Sequence, residues 1–262
     1  MVLGAIKSRL DLRDLKLGRV QQPILIPNSY QTDISWLEPL WQDGYPMCGS
    51  HSGSHFKAIL DYPDTDKQKY SPIYLWKKIK AIDGEPPERG TYMRAILKTL
   101  RNKGVCDYEL LPTDFNKSLA EQTADNTTED QNANAQPRVI SSYAFVSTDV
   151  ESLKQAIYQD KVVLARLDVG NSWWGWEYVR PYTRKDGGHF VVLYGYDAIH
   201  FYVLDSADKK VPKKRIPLTY PIHEAGTAVD LPDEYVKNLV KQREILQQIV
   251  ALYYKILDLL KR

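Results

Sequence analysis

The sequence predicts an α+β protein whose helices come early in the chain and whose strands come late. Apolar residues recur at helical spacing between residues 48 and 103, and runs rich in β-branched and aromatic residues follow between 140 and 204. The 262 residues suit one large domain or two lobes, with ample chain to bury a core. We therefore expect a two-lobe α+β fold.

Composition and charge exclude several classes of protein. The chain has 35 Lys and Arg residues against 33 Asp and Glu residues, which gives a net charge of +2. This balance argues against a nucleic-acid-binding face and against a polybasic membrane anchor. The hydrophobic fraction of 43% excludes a chain that is disordered throughout. The two cysteines, Cys48 and Cys106, are too few for a disulfide scaffold or a Cys-rich zinc site.

The sequence carries no recognisable targeting or membrane signal. Its N-terminus reaches charged residues after a few apolar ones, which is not the pattern of a secretory signal. No stretch approaches the ~18 uninterrupted apolar residues of a membrane span. We expect a soluble protein, cytoplasmic by default, with two free thiols.

Helical patterns occupy the first half of the chain. The segment from Cys48 to about Asp61 predicts a helix, although its first turns consist of Gly, Ser and His residues that form helices poorly. Either tertiary structure holds that start or the helix begins later. Ser71-Pro72 opens a second helix, because proline fits a first helical turn. Residues 91–103 predict a third helix that Gly104 ends.

The remaining segments before residue 230 are irregular or strand-like. Residues 1–40 are expected to be irregular, and the polar residues 117–137 predict a surface excursion or a disordered loop. A short helix is expected over Asp149–Gln159, capped by Asp149 or Thr148. Strands are predicted at Ile140–Val146, Val162–Val169, Phe190–Tyr196 and Phe201–Leu204.

The C-terminal residues 233–261 predict a separate long helix with a wide apolar face. Two neighbouring apolar stripes run along it, which suits a bundle of several helices better than a two-stranded coil. We expect residues 1–228 to form one domain and residues 229–262 to form a C-terminal helix that mediates self-association through 236–260. The alternative is that this helix folds back on the preceding domain.

Three polar residues in separate segments form a pattern with chemical meaning. A thiol at a helix N-terminus, as expected for Cys48, has a lowered pKa because it meets the positive end of the helix dipole. A histidine such as His189 can pair with that thiolate and later protonate a leaving group. A carboxylate beyond it, here Asp205, fixes the tautomer and orientation of the imidazole. Gly187 and Gly188 before the histidine let a substrate backbone approach closely.

This arrangement over residues 9–206 resembles the papain-like cysteine peptidase family, in its prokaryotic and phage-type branch. Gln42 precedes Cys48 by six residues, as the oxyanion glutamine precedes the nucleophile in that family. His189 follows Cys48 by 141 residues, within the ~130–150 expected for papain-type enzymes. The segment GGHFVVLYGYD looks like the family's histidine motif. Asp205 stands where the family carries its orienting asparagine.

The resemblance implies a fold and a set of site residues. It implies a helical lobe and an antiparallel β lobe, with the extra C-terminal helix beyond the family's usual end. The segment GTYMRAILKTL is similar to the one whose glycine backbone pairs with substrate, which implies that Gly90, Tyr92 and Met93 bind substrate. Gly188, directly before the histidine, is the fourth residue expected to bind substrate. The implied function is cleavage of peptide bonds in a peptide or protein substrate, by Cys48, His189, Asp205 and Gln42, with no metal and no cofactor.

Departures from the family's pattern leave alternatives open. Ala207 stands where the family has a tryptophan that shields the histidine, and a different alignment register places His51 at the nucleophile position. An inactive papain-like binding or assembly protein is therefore one alternative, and an acyl or isopeptide transferase with the same triad is another. Residues 173–176, Trp-Trp-Gly-Trp, predict either lobe packing or an aromatic wall of the cleft. Only about forty residues precede Gln42, too few for the inhibitory domain of many relatives, so we expect control from elsewhere.

Overall fold

The computed structural model describes residues 3–8, 11, 25–62 and 69–230, together with a few residues near the C-terminus. The chain divides into two compact units, Met1–Asp230 and Leu231–Arg262. Most of the predicted C-terminal helix lies outside the described residues. Within it, the described positions are each helical, and their side chains are exposed: Ile245, Ile249, Leu252, Tyr253 and Lys255. The domain boundary and the role of this segment stay predictions.

The predicted helices of the first half are present. The α-helices of the larger unit are α1 (Cys48–Asp61), α2 (Pro72–Asp83), α3 (Met93–Asn102), α4 (Leu119–Thr123), α5 (Glu129–Ala135) and α6 (Val150–Asp160). Ser71 caps α2 by accepting a hydrogen bond from the backbone N–H of Tyr74, and Asp149 caps α6 in the same way. The third helix begins two residues later than expected, because Thr91–Tyr92 forms a short strand.

Tertiary packing, rather than helix propensity, holds the start of α1. Every residue of this helix is buried, including its Gly, Ser and His residues. A Cβ atom on Gly49 would lie 2.6 Å from the Thr91 side chain, and one on Gly53 would lie 2.8 Å from that of Ile96. Small residues are therefore needed for α3 and its preceding strand to approach α1 closely.

The polar segment 117–137 is a surface excursion, but it is not a disordered loop. It forms α4 and α5, and each has a capping box in which the cap side chain and the third residue exchange hydrogen bonds. The pairs are Ser118 with Glu121 and Thr128 with Gln131. The three-residue spacing of these pairs, which signals a capping box, is visible in the sequence. The polar composition of the segment does not by itself distinguish a helix from a loop.

The strands form one large antiparallel sheet and one small parallel ladder. The strands are β1 (Ala5–Ile6), β2 (Tyr30–Gln31), β3 (Thr91–Tyr92), β4 (Ile140–Val146), β5 (Val163–Gly170), β6 (Lys185–Tyr196), β7 (His200–Leu204), β8 (Lys213–Pro217) and β9 (Ile222–Asp230). The seven-stranded sheet has the order β4-β9-β5-β6-β7-β8, with β2 paired to β6, whereas β1 pairs with β3. The α+β prediction is confirmed.

Three strands of the sheet, β2, β8 and β9, were not expected from the sequence. Lysine and arginine residues dominate β8, and β9 carries Gly226 and polar residues among its apolar ones. Nevertheless β9 lies inside the sheet, between β4 and β5. Its ladder partners, which lie far away in the sequence, decide its conformation.

The sheet separates two hydrophobic cores. Leu164 and Val192 belong to the core that contains residues of α1, α2 and α3. Their sequence neighbours, Val163 and Val191, belong to the core that contains residues of α6. Successive side chains of a strand point to opposite faces of the sheet, so β5 and β6 are buried on both faces. Among the described residues, no helix is both long enough and apolar enough to cross a membrane.

Candidate active site

Cys48 is the first residue of α1 and is fully buried. At this position its backbone N–H has no partner within the helix, and its thiol meets the positive end of the helix dipole. Burial raises the pKa of the thiol, but the hydrogen bond and positive charge of His189 lower it by more, so that the net pKa lies below its ordinary value. The environment therefore favours a thiolate.

His189 lies in β6 and is also fully buried. Its Nε2 atom is 2.8 Å from Oδ1 of Asp205, which leaves the other ring nitrogen, Nδ1, to interact with the Cys48 thiol. Burial lowers the pKa of the imidazole, but the charge and hydrogen bond of Asp205, assisted by Cys48, raise it to about 9. An imidazolium is therefore favoured at neutral pH, with Nδ1 free for the thiol or for a substrate.

Asp205 follows β7 and has both carboxylate oxygens engaged. Oδ1 accepts from His189 and from the backbone N–H of Ala207, at 2.8 Å each. Oδ2 accepts a 2.7 Å hydrogen bond from Nε1 of Trp173. Burial raises the pKa of this carboxyl group, and the positive charge of His189 together with these hydrogen bonds lowers it below its usual range. The residue is a buried carboxylate whose partners are all donors.

Gln42 is buried and fixed at both ends of its amide group. Its Oε1 atom accepts from the Ser206 hydroxyl at 2.8 Å, and its Nε2 atom donates to the Tyr45 carbonyl at 2.7 Å. Its backbone N–H donates to the Ser206 carbonyl at 2.9 Å. One Nε2 hydrogen remains for another acceptor. Ser206 was not identified from the sequence, although it directly follows Asp205.

Trp173 packs against His189, although the sequence has Ala207 at the position where a tryptophan that shields the histidine was sought. Its ring is fully buried and meets the His189 ring edge-on, with centroids 6.1 Å apart. The tryptophan comes from the loop after β5, so a comparison at position 207 could not find it. Trp176 is instead 65% exposed and lines a surface cavity of about 440 Å³ with Tyr178 and Arg180. Within the Trp cluster, Trp173 therefore packs in the interior and Trp176 lines a surface cavity.

The alternative register, with His51 as the counterpart of the nucleophile, does not match the geometry. His51 is fully buried one turn into α1, and its Nδ1 atom lies 3.0 Å from the Met47 carbonyl. Burial lowers its pKa to about 4. The residue that interacts with His189 is Cys48. In the described part of the chain, no group of three or more His, Cys, Asp or Glu residues could hold a metal ion.

An N-terminal segment, residues 3–8, lies across the candidate site. Its strand β1 runs parallel to β3, with Ala5 opposite Thr91. The Gly4 carbonyl accepts a 2.8 Å hydrogen bond from the backbone N–H of Thr91. A Cβ atom on Gly90 would lie 1.7 Å from that same carbonyl oxygen. The predicted substrate-binding glycine therefore contacts a stretch of the chain's own backbone.

The β lobe holds the other side of the N-terminal segment. A Cβ atom on Gly188 would lie 2.5 Å from the Ala5 carbonyl oxygen. Both carboxylate oxygens of Glu224 accept from the Ser8 N–H, at 3.0 and 3.1 Å. The Gly4 backbone hydrogen-bonds to the Cys48 thiol. The sequence did not predict this occupancy, which covers the thiol and keeps the site closed.

The predicted substrate-binding residues fall into two groups. Gly90, Gly188 and Tyr92 lie against the N-terminal segment, and Tyr92 is the ladder partner of Ile6. Met93 does not join them: it is fully buried in the core with α1 and α2. It starts α3, and its sulfur packs toward Gly226 in β9. Its position is that of a core residue.

Solved structures that share this architecture include cysteine proteases. Xylellain, a cysteine protease from Xylella fastidiosa, superposes with a TM-score of 0.76 and 17% identity over 88% of this chain and 97% of its own. Procathepsin B S9 from Trypanosoma congolense gives 0.69 and 12%, over 88% and 86%. The Carica candamarcensis protease CMS1MS2, solved with E-64, gives 0.58 and 14%, over 79% and 100%. No family model and no curated protein matches the sequence. At these identities the likeness establishes the fold, which is papain-like.

Proposed function

We propose that the protein is a cysteine peptidase that hydrolyses peptide bonds through Cys48, His189, Asp205 and Gln42. The observation that carries the proposal is the pairing of a thiol at a helix N-terminus with an imidazole whose other nitrogen is held by a buried carboxylate. The three side chains come from α1, β6 and the end of β7. The sequence resembles a family of cysteine peptidases, and two of the solved structures with this fold are cysteine proteases.

Acylation follows from the geometry of these groups. The Cys48 thiolate attacks the carbonyl carbon of the scissile amide, a C–S bond forms, and the carbonyl π electrons move to oxygen. That oxygen accepts from the free Nε2 hydrogen of Gln42 and from the Cys48 backbone N–H; one such donor is typically worth ~3–4 kcal/mol. The His189 imidazolium donates its Nδ1 proton to the amide nitrogen as the C–N bond breaks.

Hydrolysis of the resulting thioester reverses these roles. Nδ1 of neutral His189 accepts a proton from water, and the hydroxide attacks the thioester carbon. The C–S bond breaks, the acid product leaves, and the thiolate with its imidazolium is restored. Asp205 keeps the Nε2 proton in place throughout, so that Nδ1 is the nitrogen that exchanges protons.

The N-terminal segment supports a peptide as substrate. Residues 3–8, which include the strand β1, are held by main-chain and side-chain groups of both lobes, from Thr91 on one side to Glu224 on the other. A surface that binds a strand through its backbone accepts other sequences in the same way. The groups around the thiol are therefore suited to an extended peptide.

The proposal is tested by assaying a fluorogenic peptide library with the full chain, with Cys48→Ala and with a matched control, Cys106→Ala. Cys106 is a second buried thiol whose pKa burial raises to about 12, so we expect its removal to leave cleavage intact and that of Cys48 to abolish it. Because residues 3–8 cover the thiol, the series is repeated with Gly4→Val, which displaces them. Cleavage that survives Cys48→Ala, or no cleavage in any chain, contradicts the proposal.

A non-catalytic binding protein is the second candidate, and the closed site favours it. Cys48, His189 and Gln42 are each 0% exposed, so substrate has no access while the N-terminal segment is in place. The two candidates differ in the reactivity of the thiol once Gly4→Val has displaced that segment. A peptidase thiol is alkylated rapidly by iodoacetamide at neutral pH, whereas a structural thiol stays inert.

A further inference from the structure

Lys214, in β8, places a buried positive charge behind Asp205. Its side chain is 0% exposed, and its Nζ atom lies 4.0 Å from Oδ2 of Asp205. The same atom is 2.7 Å from Oδ2 of Asp208 and donates to the Trp173 carbonyl at 2.9 Å. It also donates to the Trp176 carbonyl at 3.3 Å. A lysine buried this completely is rare and needs anionic partners, which these two carboxylates supply.

The site is therefore a line of alternating charges. In order they are the Cys48 thiolate, the His189 imidazolium, the Asp205 carboxylate, the Lys214 ammonium and the Asp208 carboxylate. The family that the sequence resembles has a neutral asparagine where this chain has Asp205. A carboxylate there adds a negative charge next to the imidazolium, which holds the proton on His189 more tightly than an amide does. An acid that holds its proton too tightly donates it slowly.

We propose that Lys214 is a positioning residue that offsets the extra negative charge of Asp205, so that a carboxylate can serve where related enzymes carry an amide. The inference rests on the proposed function, and it names a residue of the same site. Lys214 acts through Asp205 and does not touch the substrate. The groups that face Asp205 are His189, Trp173 and Lys214, and the buried imidazole of His55 also interacts with it electrostatically. Those that face His189 are Cys48, Asp205 and the edge of the Trp173 ring.

A purely structural role for Lys214 makes a different prediction. The lysine joins the loop at Trp173 and Trp176 to the turn at Asp208, and Asp208 also accepts a 2.6 Å hydrogen bond from the Gly175 N–H. If Lys214 only ties this loop down, then Asp208→Asn, which weakens the same connection and keeps the lysine, should resemble Lys214→Met in every measurement. If the charge of Lys214 matters, Lys214→Met raises the pKa of His189 and Asp208→Asn does not.

The first test measures the pKa of His189 by NMR in protein with 13C-labelled histidine, the signal being assigned from its absence in His189→Asn. Removal of the nearby positive charge in Lys214→Met should raise this pKa by about 1 unit. Asp208→Asn should leave it unchanged or lower it. Should Lys214→Met fail to fold, Lys214→Gln removes the charge and retains a donor. An unchanged pKa in the folded neutral variant overturns the inference.

The second test uses the leaving group of the substrate, in the Gly4→Val background. A less acidic imidazolium should slow cleavage of a peptide amide, whose leaving nitrogen needs the proton, about tenfold in kcat with little change in KM. The kcat for the matching ester, whose leaving oxygen depends less on protonation, should change much less. Equal losses for amide and ester overturn the inference. The NMR measurement needs no activity, so a failure of the proposed peptidase function is recognised separately, as absence of turnover with the expected pKa shift.

Discussion

At the scale of single residues, the identity of Asp205 is matched to its surroundings rather than to a family pattern. Its Oδ1 atom accepts from His189 and Ala207, and its Oδ2 atom accepts from Trp173. Each partner is a donor, so both oxygens must be acceptors. An asparagine has only one acceptor oxygen, and either orientation of its amide places an N–H group against another N–H group.

We accordingly predict that Asp205→Asn lowers the proposed peptidase activity, although the family that the sequence resembles carries asparagine there. The amide would leave the buried Nε1–H of Trp173 without an acceptor, which costs roughly 1–3 kcal/mol, and kcat should fall at least about tenfold. The measurement is steady-state kinetics on a peptide amide. In the Trp173→Phe background, which removes the opposing donor, Asp205→Asn should cost less. Equal losses in both backgrounds contradict the explanation.

The pH dependence of the site follows from His189. Its pKa is raised to about 9, whereas that of Cys48 is lowered, so the thiolate–imidazolium pair should persist through neutral pH and activity should fall as pH rises through about 9. The raised pKa also contributes stability, which is fully present below the unfolded value of about 6.5 and is lost as pH rises through about 9.

Two measurements check this pH dependence. They are the profile of kcat/KM and the thermal midpoint between pH 6.5 and 10. The thermal midpoint of His189→Asn should lack the alkaline loss that this histidine causes. A basic limb near the ordinary histidine value contradicts the assignment.

At the scale of elements, the N-terminal segment acts on the site through its backbone. The Gly4 backbone hydrogen-bonds to the Cys48 thiol, and the Gly4 carbonyl points instead to Thr91. These two contacts hold the segment over the thiol by its main chain. Access for another peptide requires that the segment leave.

Gly4→Val should displace the segment and open the site. The added Cβ would lie 2.2 Å from the Pro46 carbonyl oxygen and 2.9 Å from the Gly90 Cα, and backbone atoms at such distances cannot yield. We expect alkylation of Cys48 and peptide turnover both to rise at least about tenfold. Lys7→Ala, an exposed position in the same segment, is the control. Rates in Gly4→Val that equal those of the control contradict this prediction.

At the scale of the whole molecule, the C-terminal unit, Leu231–Arg262, is the part expected to meet another chain. Self-association through residues 236–260 stays a prediction. Its described apolar side chains are 47–59% exposed: Ile245, Ile249, Leu252 and Tyr253. Exposed apolar stripes of this kind are typical of helices that meet a partner.

The oligomeric state is checked by sedimentation equilibrium at micromolar concentration. The full chain should exceed the monomer mass, because association buries the apolar stripe, and Ile249→Asp should shift it toward the monomer. Lys255→Ala, also in this helix, should have little effect. A monomeric full chain contradicts the prediction.

The sequence was sufficient to predict much of the local structure and the order of the chemical groups. Periodicity and caps predicted α1, α2, α6 and β4 closely, because helix and strand periods depend on neighbours in sequence. Spacing and resemblance singled out Cys48, His189, Asp205 and Gln42 together, since each carries chemistry that a motif can signal.

Only the tertiary structure revealed what surrounds those groups. Trp173 and Lys214 reach Asp205 from a distant loop and from β8, and residues 3–8 cover the thiol. None of these contacts leaves a local periodicity or motif, because each depends on where the sheet brings separate segments together. For the same reason Met93 lies in the core rather than in the groove. Sequence determined which groups could react, and the packing of remote segments decided how they are charged, held and covered.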